Sequence, residues 1–209
     1  MCEESHDPFI EKTVSFVKER MNGNESGHDW SHVRRVWRAA LKISRQEGGD
    51  PLTISLAALL HDIADHKFSG DLDATGRVAR EWLKEIKVDE GVAVHVANIV
   101  ERISFKSGGV KGEVDTIEGM IVQDADRLDA LGAIGIARAF SYGGFMKRKM
   151  HDPRIAPFSR EPGTTINHFY EKLLLLKDRL HTRTAREMAE ERHSFMKSFL
   201  DQFLKEWEE

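Results

Sequence analysis

The run Ala57-Ala58-Leu59-Leu60-His61-Asp62-Ile63-Ala64-Asp65-His66-Lys67 constrains the fold more than any other stretch of the chain. Its first half is apolar and rich in strong helix formers. Its second half sets five polar or ionisable side chains around Ile63 and Ala64. An apolar helix belongs in an interior, so these groups are expected inside the protein or on the floor of a cleft. Burying an imidazole beside a carboxylate is costly unless something compensates them, and a bound cation is one such compensation.

The rest of the chain reads as helices. Asp7-Pro8 is a helix start, with Asp as N-cap and Pro at the first helical position, and the apolar spacing carries this helix to about Met21. Asp29 to Glu47 follows, with Val33, Val36, Trp37, Ala40, Leu41 and Ile43 on one face, until Gly48-Gly49-Asp50-Pro51 stops it. The central helix is expected over Leu52–Ala64, with further helices over 75–87, 89–103 and 113–141, the last interrupted near Gly132–Gly135 and ended by Tyr142-Gly143-Gly144. Residues 164–180 and 182–207 give the last two; in the final one Met188, Phe195, Met196, Phe199, Phe203 and Trp207 recur at helical spacing and read as core. No convincing strand appears. The expectation is an all-α, compact single-domain protein of about eight or nine helices over residues 1–209. Its core covers about 28–131, helices 164–207 pack on it, and the basic, proline-containing stretch 145–163 forms a flexible loop or lid.

Composition narrows the function. With 31 basic and 35 acidic residues the net charge is −4, which offers no footprint for nucleic acid. No apolar run approaches the ~18 residues of a membrane span, and the acidic start of the chain is unlike a secretory signal. Cys2 is the single cysteine, so a thiolate metal cluster and an internal disulfide are excluded and a reducing, cytoplasmic setting fits.

His-Asp occurs four times, at His6-Asp7, His28-Asp29, His61-Asp62 and His151-Asp152. The first and last precede prolines in turns that look exposed, where capping or solvation is expected. His61-Asp62 instead lies on the apolar helix, with Asp65 one turn beyond. Partners for a cation must come from other helices. His32 stands on a helix with an apolar face. Asp126 and Asp129 share a face in Ile121-Val122-Gln123-Asp124-Ala125-Asp126-Arg127-Leu128-Asp129, and Asp124 competes with them. A mixed imidazole and carboxylate set suits a divalent first-row metal.

The ordered series His32, His61-Asp62, Asp126 resembles the signature of the HD-domain metal-dependent phosphohydrolases. The contexts His32-Val33-Arg34-Arg35-Val36, Leu59-Leu60-His61-Asp62-Ile63 and Ala125-Asp126-Arg127-Leu128-Asp129 resemble it too. Gly27-His28-Asp29-Trp30, Ala64-Asp65-His66-Lys67-Phe68, Ile103-Ser104-Phe105-Lys106, Tyr142-Gly143-Gly144 and His168-Phe169-Tyr170-Glu171-Lys172 are similar to a bacterial subgroup that includes a nucleoside triphosphate pyrophosphohydrolase. The resemblance implies His32, His61, Asp62 and Asp126 as metal ligands, with Mn2+ the first expectation and Mg2+, Fe2+, Co2+, Ni2+ or Zn2+ as alternatives. It implies a nucleotide as substrate and leaves room for a homodimer. Asp65 is the candidate acid/base and Lys67 its catalytic neighbour. Lys106, Arg35 and His28 are candidate substrate-binding residues, with His95 and His168 as further residues that could face the pocket. The expected reaction is release of pyrophosphate from a nucleoside triphosphate by metal-activated water. The alternatives are a 5′-nucleotidase, a cyclic-nucleotide phosphodiesterase, or a metal-dependent nucleotide-binding module without turnover.

Overall fold

A computed structural model describes residues 7–21, 29–63, 74–103, 114–159 and 163–209. Among these residues there are nine α-helices and no strand, in agreement with the all-α expectation. They fall into two compact units, Met1–Ala125 and Asp126–Glu209, with the division inside one continuous helix.

The first unit is built around its most apolar helix. Helices α1 (Pro8–Arg20), α2 (Trp30–Glu47), α3 (Pro51–Leu60), α4 (Ala74–Glu85) and α5 (Glu90–Ile103) precede α6 (Ile117–Asp129). α3 packs against α1, α2 and α5. Every residue from Thr53 to Leu60 is buried, as expected of a helix that is apolar all round. Its two hydroxyl residues are satisfied locally: Ser55 Oγ donates to Pro51 O at 2.7 Å and Thr53 Oγ1 to Asp50 Oδ2 at 2.6 Å. The starts follow the capping signals. Asp7 accepts from Phe9 N at 2.8 Å, Asp29 from His32 N at 2.9 Å and Asp50 from Thr53 N at 2.8 Å. α2 stops where Gly48 and Gly49 take φ of 89° and 83°, a region open to glycine at little cost. α4 is tied to α1 by Trp82 Nε1 donating to Thr13 Oγ1 at 3.0 Å and by the Phe16 ring stacked on Trp82 at 4.0 Å.

Three boundaries differ from the sequence pattern. α3 ends at Leu60 rather than Ala64, and His61 and Asp62 occupy the turn that follows. The long helix expected over 113–141 breaks at Ala130-Leu131, and its second part continues through Tyr142-Gly143-Gly144 to Phe145. Gly143 does not end the helix because it is buried against a neighbour: a Cβ there would lie 2.3 Å from Thr165 Oγ1. The helix expected over 164–180 ends at Glu171, and Leu173–Arg179 continues as a 3-10 helix.

The second unit contains α7 (Gly132–Phe145), α8 (Thr165–Glu171), that 3-10 segment and α9 (Arg183–Glu208). α9 packs on α7 and on the 3-10 segment, and α8 also touches α7. The aromatic stripe of α9 is only partly core. Met196 and Leu200 are buried, but Phe195 and Trp207 are exposed, and Phe199 and Phe203 meet Phe140 at 5.9 and 5.8 Å between ring centres. His151-Asp152 departs from the exposed turn expected of it. Asp152 is buried and accepts from Arg154 Nη2 at 2.9 Å and Lys149 Nζ at 3.0 Å. The hydrogen bond from Arg154, then that from Lys149, holds its carboxyl far below the usual carboxylate range. Much of the basic charge of the 146–159 stretch is therefore already committed.

Candidate metal centre

Each group in the centre is placed by a local backbone device. On α2, Asp29 caps the helix through the amide of His32 itself, which fixes the backbone that carries this imidazole. On α3 the apolar run takes the chain to the interior, and the end of the helix at Leu60 sets His61 and Asp62 in consecutive turn positions. Neighbours on a helix diverge by about 100°, yet here both side chains reach the same point. Asp126 is carried by α6, whose buried face includes Ile121, Val122, Ala125 and Leu128.

His61 is 2% exposed, and its Nδ1 lies 2.8 Å from Ala58 O. A carbonyl only accepts, so Nδ1 carries the proton and Nε2 keeps its lone pair, the arrangement found in metal-bound histidines whose other nitrogen donates to the protein. That Nε2 lies 3.2 Å from His32 Nε2. Asp62 Oδ2 is 3.3 Å from His32 Nε2 and 3.5 Å from His61 Nε2. His32, His61 and Asp126 each offer a ligand atom, all within 4.8 Å of one another. The imidazoles are buried while Asp62 and Asp126 are partly exposed, so the carboxylates form the side open to solvent.

These spacings fit a ligand shell. Donor atoms about 2.1 Å from an ion lie about 3.0 Å apart at a right angle and about 3.4 Å apart at the tetrahedral angle. Two imidazoles and two carboxylates suit a divalent first-row ion, which would offset the burial cost of the polar groups. Asp129 has another task. It is buried and accepts from Arg138 Nη1 at 2.7 Å, so of the two helical neighbours Asp126 is the one grouped with the histidines. Asp124, also buried, is not in that group.

Arg35 sits half-buried one turn after His32. His28, Asp65, Lys67 and Lys106 lie outside the described residues. His95 Nε2 lies 3.3 Å from Thr116 Oγ1 and 3.9 Å from Glu118 Oε2. His168 lies in the second unit. Burial first, then Lys172 and Arg148, lower its pKa from 6.5 to about 4, against a smaller opposing pull from Glu171. The committed state of Asp129 was not readable from spacing, because its partner lies nine residues on, across a helix break.

Known proteins place this centre in a family. The HD domain family model matches residues 29–131, a span that includes all four candidate ligands. YpgQ of Bacillus subtilis is 39% identical over 94% of this chain and 92% of its own length. The crystal structure of an HD-superfamily hydrolase from Bacillus thuringiensis is 47% identical, covers 95% of this chain and 96% of that one, and superposes with a TM-score of 0.78. The structure of Bacillus subtilis YpgQ in complex with ADP covers 94% of this chain and 97% of its own, at 33% identity in the superposition and a TM-score of 0.77. The chain belongs to the HD-domain superfamily of hydrolases.

Proposed function

We propose that this hydrolase cleaves a nucleotide phosphoanhydride, releasing pyrophosphate from a nucleoside triphosphate. The convergence of His32, His61 and Asp62, with Asp126 grouped beside them, carries the reading. The ADP complex of YpgQ supports a nucleotide as the ligand. These four residues would hold a divalent ion, which would lower the pKa of water and neutralise phosphate oxygens.

The chain's own groups supply the remaining tasks. The buried imidazoles hold one side of the centre rigid, His61 through its bond to Ala58 O. Asp62 and Asp126, on the solvent side, leave access for a phosphate. In this reading Asp65, one turn past His61 in sequence, orients or protonates at the reacting oxygen. Lys67 and Lys106 act as point charges on phosphate oxygens, and Arg35 and His28 bind substrate. No described helix is long and apolar enough to cross a membrane, and cytoplasmic action on a small diffusible nucleotide belongs to the same proposal.

The test is product analysis. Protein loaded in turn with Mn2+, Mg2+, Co2+ and Zn2+ is incubated with nucleoside triphosphates, monophosphates and a cyclic nucleotide, and the products are separated. Pyrophosphate with the monophosphate is expected. Orthophosphate from monophosphates, or ring opening, reassigns the bond that is cut, and no product under any condition sinks the nucleotide reading.

A further inference from the structure

Asp126 stands in the last turn of α6, which ends at Asp129. Carbonyls in the last turn of a helix have no partner within it, and such ends fray. A metal ligand on a fraying turn would lose the position an ion needs, yet this end is fastened. Arg192, on α9, donates from Nη1 to Leu128 O, the carbonyl that also receives the Leu131 amide at 3.1 Å. A carbonyl oxygen has two lone pairs and can take both donors. The helix dipole also favours a cation at this end.

The residues on either side are tied as well. Arg127 Nη1 donates to Arg179 O and lies 3.2 Å from His181 Nε2, and Asp129 accepts from Arg138 at 2.7 Å. Those two ties run through side chains of α6, whereas Arg192 grips the backbone of the turn itself. The chain is shaped to let it through. Gly132, the first residue of α7, is buried and has φ of 75°. A Cβ there would lie 3.1 Å from Arg192 Cγ and 3.2 Å from Arg192 Cβ, so the half-buried arginine passes directly against the backbone. Asp126, Leu128, Gly132 and Arg192 all belong to the second unit.

We propose that Arg192 is a positioning residue for the metal centre: by holding the Leu128 carbonyl it fixes the turn of α6 that presents Asp126. Groups that serve a site must be held to within about 0.5 Å, and a grip on the backbone two residues from the ligand limits its drift more directly than a side-chain tie. The role rests on Asp126 being a metal ligand and is independent of the substrate.

The experiment measures affinity for Mn2+ and Co2+ by calorimetric titration of the full chain, and stability separately by thermal unfolding in chelator. Arg192→Met keeps the apolar stem and removes the donors, and it is combined with Asp126→Ala in a double-mutant cycle. Alone, Arg192→Met is expected to weaken metal binding about ten- to hundredfold and to change the visible absorption of bound Co2+. In the Asp126→Ala background it is expected to cost less than about twofold, because the carboxylate it positions is gone. Arg192→Lys, which shortens the reach to Leu128 O, goes through the same cycle with a smaller loss of the same pattern, so the decision does not hang on the folding of one variant. Unchanged affinity in Arg192→Met overturns the proposal. So does an equal loss in both backgrounds, which marks a change spread through the structure rather than one acting through Asp126. If Asp126→Ala alone binds metal as the wild type does, the ligand assignment falls and the role of Arg192 falls with it.

Discussion

Replacing His61 by Leu separates the metal-binding role of this side chain from its packing role. Leu fills a similar volume, and His61 is 2% exposed at the end of a helix whose neighbouring residues Leu59 and Leu60 are fully buried. In the presence of chelator two effects oppose each other. The bond from Nδ1 to Ala58 O is lost, at about 1 kcal/mol, while apolar burial of the new side chain contributes about 1.5–3 kcal/mol. The chelated variant is therefore expected to match or slightly exceed the chelated wild type. With metal the result reverses. At a free ion concentration about a hundred times Kd, binding stabilises the native state by about 2.7 kcal/mol, which for a chain of this length is a rise of about 5–11 °C in Tm.

Loss of His61 removes one of the atoms that converge within 3.2–3.5 Å. Losses of ten- to hundredfold in affinity accompany changes even to groups that merely support metal ligands. At the same ion concentration a hundredfold weaker site retains only about 0.4 kcal/mol, a rise of about 1 °C. Scanning calorimetry with Mn2+, Mg2+, Co2+ or Zn2+ against chelator, together with bound metal by mass spectrometry, reads both quantities. A His61→Leu protein that keeps the wild-type metal content and the wild-type rise in Tm would falsify the assignment of His61.

Other perturbations test the surroundings. Asp129→Asn is expected to leave metal content unchanged, because that carboxylate serves Arg138; Arg138→Ala, which removes the 2.7 Å partner of a buried carboxylate, costs about 3 kcal/mol in urea unfolding. Gly135→Ala places a Cβ 2.2 Å from the backbone oxygen of Ala130; backbone cannot step aside as a flexible side chain can, so a loss of about 3 kcal/mol is expected, and an unchanged unfolding midpoint would contradict the close approach. His168 sets a pH dependence: its folded pKa of about 4 lies below its ordinary 6.5, so the unfolded chain binds the proton more tightly between those values. Its contribution is complete above about pH 6.5 and is lost as the pH falls towards 4. The full shift corresponds to about 3 kcal/mol, which partial exposure reduces to about 1–2 kcal/mol. His168→Gln therefore flattens the decline in stability between pH 6.5 and 4, and parallel declines in the two proteins would refute the assignment.

The helices were legible because their causes are local. Asp7-Pro8, Asp29 and Asp50-Pro51 cap the helices that the periodicity predicts, and each start is where the side-chain acceptor places it. The misplaced ends have tertiary causes. Tyr142-Gly143-Gly144 looks like a stop, yet Gly143 is retained inside α7 because Thr165 occupies the space a side chain would need. Asp152 looked solvated after a histidine and before a proline, yet Arg154 and Lys149 neutralise it well enough to be buried. Long cationic side chains choose partners that spacing alone does not reveal.

The same distinction explains why the centre was half readable. Residue types pointed to His32 and His61-Asp62 with an aspartate from the 121–129 stretch, because imidazoles and carboxylates on otherwise apolar helices need a common explanation, and the resemblance to the HD-domain phosphohydrolases singled out Asp126 from Asp124 and Asp129. The helix end beside them was placed about one turn too late. A helix continued through Ala64 would pair the Ala58 carbonyl with the Asp62 amide in a regular ladder. Ending α3 at Leu60 leaves His61 as its C-cap, still with a right-handed helical backbone at φ −59° and ψ −29°, and brings its Nδ1 to Ala58 O. That contact selects the Nδ1–H tautomer and turns Nε2 towards His32. The adjacent His61 and Asp62 side chains thus meet at one point with His32. The apolar run of α3 serves the centre in two ways, by carrying the pair into the interior and by stopping where both side chains can turn to the same point.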